Sequence, residues 1–156
     1  MNEELYLKAY VSDQINMSLV GPNKIKKDLT ALGYKEEDII EYIDNIDRDV
    51  WISKIEKLVN KKLNGNRNLG VLKLKDKIRY DLGNLGFYKY MIDDVLNSID
   101  VKDDLTVLEK EYNKCNRKLS KKFDGSELDY QIRIKLYQKG FNSNVIDEFI
   151  QNKKNI

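Results

Sequence analysis

The stretch Lys24-Ile25-Lys26-Lys27-Asp28-Leu29-Thr30-Ala31-Leu32-Gly33-Tyr34 decides the fold, because its pattern occurs three times. It returns as Lys77-Ile78-Arg79-Tyr80-Asp81-Leu82-Gly83-Asn84-Leu85-Gly86-Phe87 and again as Gln131-Ile132-Arg133-Ile134-Lys135-Leu136-Tyr137-Gln138-Lys139-Gly140-Phe141. Ile25, Leu29 and Leu32 recur at helical spacing, and a glycine next in line supplies the left-handed residue that ends a helix. With Gly33 in that position, Tyr34 is the residue a Schellman turn packs on Leu29; the same pairing sets Phe87 on Leu82 and Phe141 on Leu136. Apolar residues then follow at matching offsets: Ile39, Tyr42, Ile43 and Ile46; Ile92, Val95, Leu96 and Ile99; Ile146, Phe149 and Ile150. Each copy therefore specifies a helix, a capped sharp turn and a second amphipathic helix. Its glycine and aromatic read as structural punctuation, not as ligand contacts.

A further helix precedes each pair. Trp51, Ile52, Ile55, Leu58 and Val59 form an apolar stripe ahead of the second copy, and Leu105, Leu108, Tyr112, Cys115 and Leu119 form one ahead of the third; Tyr6 and Tyr10 lie ahead of the first. Breaks fall at Gly21-Pro22, with proline in the first helical turn, at Asn64-Gly65-Asn66, and at Asp124-Gly125-Ser126, where Ser126 and Asp129 suggest a capping box. The expected fold is all-α: about nine helices in tandem three-helix repeats over 1–46, 47–100 and 101–156. Units of this kind bury their apolar faces on one another, which predicts an elongated, curved array.

The composition closes most catalytic routes. The 156 residues hold no histidine and a single cysteine, so no Ser-His-Asp or Cys-His pair, no His-ligated metal and no intramolecular disulfide is available. Phosphate-binding glycine loops, a nucleophile elbow and an EF-hand loop are all missing. Asp93-Asp94 and Asp103-Asp104 are read as helix-face and helix-start acids, not Mg²⁺ ligands. We expect no catalytic residue, metal, cofactor or small-molecule substrate. No run is long and apolar enough for a membrane span, and with one cysteine placed on a buried helix face the expectation is a cytoplasmic protein with no membrane partner.

The near-neutral balance, 28 Lys plus Arg against 26 Asp plus Glu, conceals segregation. Residues 54–79 carry nine basic side chains against Glu56 and Asp76, and residues 113–123 carry five basic and no acidic ones. Lys54, Lys57, Lys61 and Lys62 share one helix face, as do Lys114, Arg117, Lys118 and Lys121. With Lys73, Lys75, Arg79 and Lys122, these are the candidate contacts for a polyanion or an acidic protein groove.

The first copy and the residues before it resemble the RecX family of RecA regulators. Glu4, Tyr6, Tyr10 and Val11 fall where that family has an acidic-aromatic motif and a Tyr-Val pair. Gly21-Pro22-Asn23-Lys24-Ile25-Lys26-Lys27-Asp28-Leu29 is similar to its Gly-Pro-basic-basic-Ile segment, and Leu32-Gly33-Tyr34 to its Lys-Gly-hydrophobic turn. Asn2, Glu3, Leu5 and Leu7 depart from the family pattern, and 12–19 holds no basic residue where the family is rich in them. The resemblance implies a C-terminal part of a longer, non-enzymatic protein that binds the groove of the RecA-DNA filament and modulates recombinase and SOS activity. The alternative from charge alone is a helical repeat array that binds single- or double-stranded DNA directly, without sequence preference.

Overall fold

A computed structural model describes residues 3–65 and 68–155. Asn66 of the second break, Arg67 of the basic segment and Asn2 of the opening motif lie outside the described residues. The described residues form nine helices and no strand: α1 (Glu3–Met17), α2 (Pro22–Ala31), α3 (Glu36–Asp44), α4 (Arg48–Leu63), α5 (Val71–Asn84), α6 (Lys89–Ser98), α7 (Leu105–Leu119), α8 (Gly125–Gln138) and α9 (Ser143–Lys154). The fold is all-α.

The three glycine turns are Schellman turns bond for bond. Tyr34 N–H donates to Leu29 O and Gly33 N–H to Thr30 O; Phe87 and Gly86 do the same toward Leu82 and Gly83, and Phe141 and Gly140 toward Leu136 and Tyr137. Gly33, Gly86 and Gly140 have φ of 94°, 95° and 94°, the left-handed conformation in which a side chain is strained.

The chain divides into two compact units, and the division passes through α5 between Lys77 and Ile78. The first comprises Met1–Lys62 and Ile78–Ile99. Its buried side chains come from every helix in it: Leu7 and Val11, Ile25 and Leu29, Ile39 and Ile43, Trp51, Ile55 and Val59, Ile78 and Leu82, Ile92 and Leu96. Full burial of an aliphatic side chain of this size contributes roughly 1.5–3 kcal/mol. The second unit, Leu63–Lys77 and Asp100–Ile156, closes around Leu108, Cys115, Ile132, Leu136, Phe141, Ile146 and Ile150.

Within each unit, the start of one helix is bonded to the glycine turn of a later copy. In the first unit Gly21 N–H donates to Leu85 O at 2.7 Å and Asn23 N–H to Gly86 O at 2.9 Å. In the second, Gly70 N–H donates to Lys139 O at 2.8 Å and Leu72 N–H to Gly140 O at 3.2 Å. The donors are in both cases the N-cap residue and the second residue of the helix, groups that a helix leaves without an internal partner. The approach is close enough to demand glycine: a Cβ on Gly21 would lie 2.4 Å from Phe87 N, and one on Gly70 would lie 2.2 Å from Gly140 C. Pro22, first in α2, has no N–H to satisfy, whereas Val71 at the same place in α5 donates to Asp103 Oδ1 at 2.7 Å.

Three sequence expectations need correction. Ser126 does not cap α8; the N-cap is Asp124, and Gly125 with φ 56° already begins the helix. Leu105 opens the α7 stripe in sequence yet is exposed, because it is the first helical residue and precedes the turn that packs. Leu32, apolar at helical spacing, is 55% exposed because it caps α2 on the open side of its turn.

Candidate functional site

The twelve candidate cations separate by what holds each one. On α4, Lys54 is half-buried and donates to Ser18 O at 2.9 Å and Gln14 O at 3.4 Å. Helix α1 has no basic residue in its last turn, so Lys54 supplies the positive charge that its carbonyl end favours. Burial, with Lys57 nearby, lowers its pKa. Lys62 pairs with Asp81 on α5 at 3.1 Å. Arg79 pairs through Nε with Asp93 on α6 at 2.9 Å. Of the α4 lysines, Lys57 and Lys61 stay exposed and make no ion pair among the described residues.

In the second unit, Lys73 repeats what Lys54 does: its ammonium donates to Gln138 O at 3.1 Å, on the last residue of α8. Lys75 is partly buried on α5. Lys114 reaches Glu111 at 3.5 Å. Arg117, Lys118, Lys121 and Lys122 are exposed and form no ion pair among the described residues. They do not all share one helix face: α7 stops at Leu119 with Ser120 as its cap, and Lys121 and Lys122 lie in the turn beyond. That turn is closed by Lys122 N–H and Phe123 N–H, both donating to Leu119 O. The helix ends with the last apolar residue of its stripe, so four cations gather around the carbonyl end of α7. Part of their effect is to complement that end's negative dipole; as they are unpaired, the rest of their field is open to a phosphate backbone.

Glu111 escaped the sequence reading altogether. It is 1% exposed, on the buried face of α7 next to Leu108 and Cys115, and its carboxylate is bonded to Lys139 and paired with Lys114. Burial pushes its pKa up, but the two ammoniums outweigh that and hold it below the ordinary 4.5. Because Lys139 also offers the carbonyl that receives Gly70 N–H, the ion pair steadies the turn onto which α5 is bonded. The signal available was its position between Leu108 and Tyr112, at the edge of the apolar stripe. Cys115, one turn on, is buried, and burial raises its thiol pKa, so it packs as a small hydrophobe.

Among the described residues no group of three His, Cys, Asp or Glu side chains could hold a metal ion. Asp93 and Asp94 pair with Arg79 and Arg48, Asp104 caps α7 by accepting from Thr106 and Val107 N–H, and Asp103 accepts from Val71 and Asn142 N–H. No described helix is long and apolar enough to cross a membrane.

No family model matches the chain, and no solved structure does. Curated proteins do match, along nearly its whole length. A regulatory protein RecX from Oceanobacillus iheyensis is 28% identical over 154 residues, 96% of this chain and 57% of its own length. One from Bacillus cytotoxicus is 28% identical over 98% of the chain and 58% of its own length. One from Streptococcus agalactiae is 30% identical over 90% and 55%. The chain thus spans a little over half the length of these curated relatives.

Proposed function

From the premise that this chain belongs with the RecX family of regulatory proteins, we propose that it is a non-enzymatic regulator that binds RecA assembled on DNA and inhibits or modulates recombinase and SOS activity. The observation that carries the reading is the likeness to RecX proteins over nearly the entire chain. The unpaired group Arg117, Lys118, Lys121 and Lys122 supports it, since a nucleoprotein filament offers phosphates and acidic protein surface together. Lys57 and Lys61 form a second, smaller free set. Lys54, Lys62, Lys73 and Arg79 serve the fold first.

The test is retention of this chain by RecA assembled on single-stranded DNA, beside RecA alone and DNA alone, with RecA ATPase and strand exchange read in parallel. Retention by the filament well above either component, with a change in ATPase, is the expected outcome. No retention and no change in either activity would reject the reading.

The α7 group also favours a second reading, direct and sequence-independent contact with DNA phosphates. It expects binding to DNA alone, with an affinity that falls steeply as salt rises. A flat salt dependence would reject it.

A further inference from the structure

The helix-to-turn bonds put the two units in register: Gly21 corresponds to Gly70 and Gly86 to Gly140, so positions near each joint have counterparts in the other unit. In the first unit Tyr88, two residues past Gly86, makes no side-chain cap bond at the start of α6 and stacks on Tyr90, with ring centroids 5.8 Å apart. Lys26, five residues past Gly21, holds its ammonium 5.3 Å from the centre of the Tyr88 ring. Arg48, the first residue of α4, lies 6.0 Å from the Tyr90 ring and pairs with Asp94. The second unit keeps the lysine and loses the rest. Lys75 stands five residues past Gly70, but Asn142 and Asn144 replace the tyrosines, and Leu105, first in α7, replaces the arginine while Glu148 keeps the acid. Asn142 turns its side chain back to cap α9. Lys75, Leu105, Asn142 and Glu148 all line a groove of about 610 Å³, whose apolar surface includes Leu72, Val101 and Val145.

We propose that this groove receives an aromatic side chain, phenylalanine or tyrosine, from an acidic segment of a partner protein, in the place that the first unit fills with its own Tyr88. The ring is chosen by that internal counterpart and by Lys75, which stands where Lys26 meets a ring face. The acidic flank is chosen by charge. Lys75 and Lys102 line the groove against Glu148, since the other carboxylate on the lining, Asp103, is engaged by Val71 and Asn142 N–H. A nucleobase suits the groove less well: its polar edges need hydrogen-bond partners that the apolar lining withholds, and Glu148 repels the attached phosphate. Exposed Leu72 and Leu105, 52% and 61% accessible, are the apolar surface such a ring would cover. The proposal rests on the comparison of the two units and is independent of the RecA reading.

The probe is a blocked peptide in which one phenylalanine stands between two aspartates, titrated into the 156-residue chain while the methyl resonances of Leu72, Val101, Leu105 and Val145 are followed by NMR. These methyls should shift together and saturate with a dissociation constant of about 1 mM or tighter, and the same peptide with alanine for phenylalanine should bind at least about tenfold more weakly. Asn142→Tyr combined with Leu105→Arg rebuilds the filled arrangement of the first unit and should abolish the response at an unchanged helix content. Leu105→Arg alone, at an exposed position, should weaken it, which keeps the test standing if the double variant folds poorly. No saturation by about 10 mM peptide, equal binding of the alanine peptide, or full binding by Leu105→Arg would overturn the proposal. So would a thymidine oligonucleotide that shifts the same methyls more strongly than the peptide, since it would give the groove to nucleic acid.

Discussion

Helices α4 and α7 occupy the same place in successive copies and both carry basic residues, yet they use their charge in opposite ways. Helix α4 buries only apolar side chains, Trp51, Ile55, Leu58 and Val59, and ties Lys54 and Lys62 to α1 and Asp81. Helix α7 brings a carboxylate, Glu111, into its buried face with Leu108 and Cys115, and leaves Arg117 and Lys118 near its end exposed, with no ion pair among the described residues. The difference teaches that a run of lysines measures charge, while the partners on neighbouring helices decide how much of it is available.

The sharpest break in the comparison should come from Trp51→Ala. Removing a fully buried indole costs about 3–5 kcal/mol, independent of pH, and calorimetry should show a much lower midpoint or an unfolded first unit. Glu111→Gln should cost less, about 1–3 kcal/mol at pH 7, because the ammoniums it strands are partly exposed. Its cost should depend on pH. The folded pKa lies below the ordinary 4.5, so the unfolded chain takes up the proton first as pH falls. The ion pair's stabilisation is complete above about 4.5 and is lost as pH drops through the lowered folded value; denaturation midpoints of wild type and variant should converge there.

Smaller effects separate the lysines themselves. Neutralising Arg117, Lys118, Lys121 and Lys122 together should lower the midpoint only slightly, through the end of the α7 dipole, and flatten the salt dependence of filament or DNA binding. The slope should change by about 0.7–0.9 for each phosphate that the variant no longer neutralises. Lys54→Met should do the reverse, costing about 1 kcal/mol through the freed α1 carbonyls while leaving the salt slope alone. Equal effects of both sets on binding would erase the distinction between α4 and α7.

Much of the fold was legible because its signals are local. A glycine followed by an aromatic, five residues after a leucine, names a turn whose bonds all lie within six residues, and all three formed as expected. The α8 start misled for a local reason too: Gly125 tolerates positive φ, so the helix begins one residue before the serine that looks like its cap. The candidate site was legible only as charge. Lys54 finds its acceptors 36 and 40 residues away and Lys73 finds its own 65 away, separations over which periodicity carries no information. Glu111 was hidden for the same reason, since Lys139 lies 28 residues on, in the turn that ends α8. Gly21 looked like a simple break and Gly70 carried no sequence signal; only the neighbouring backbone shows that their missing side chains matter.

The helix-to-turn joints are made of main-chain atoms on both sides. Leu85 presents the acceptor at one joint and Lys139 at the other, and the bonds are the same. Such a coupling is indifferent to sequence drift at most of its positions, requiring glycine at the point of closest approach and at the turn. Duplication or loss of a whole unit would then leave the surviving joints compatible without compensating substitutions, so that number of units can change in evolution more freely than the pattern within each one.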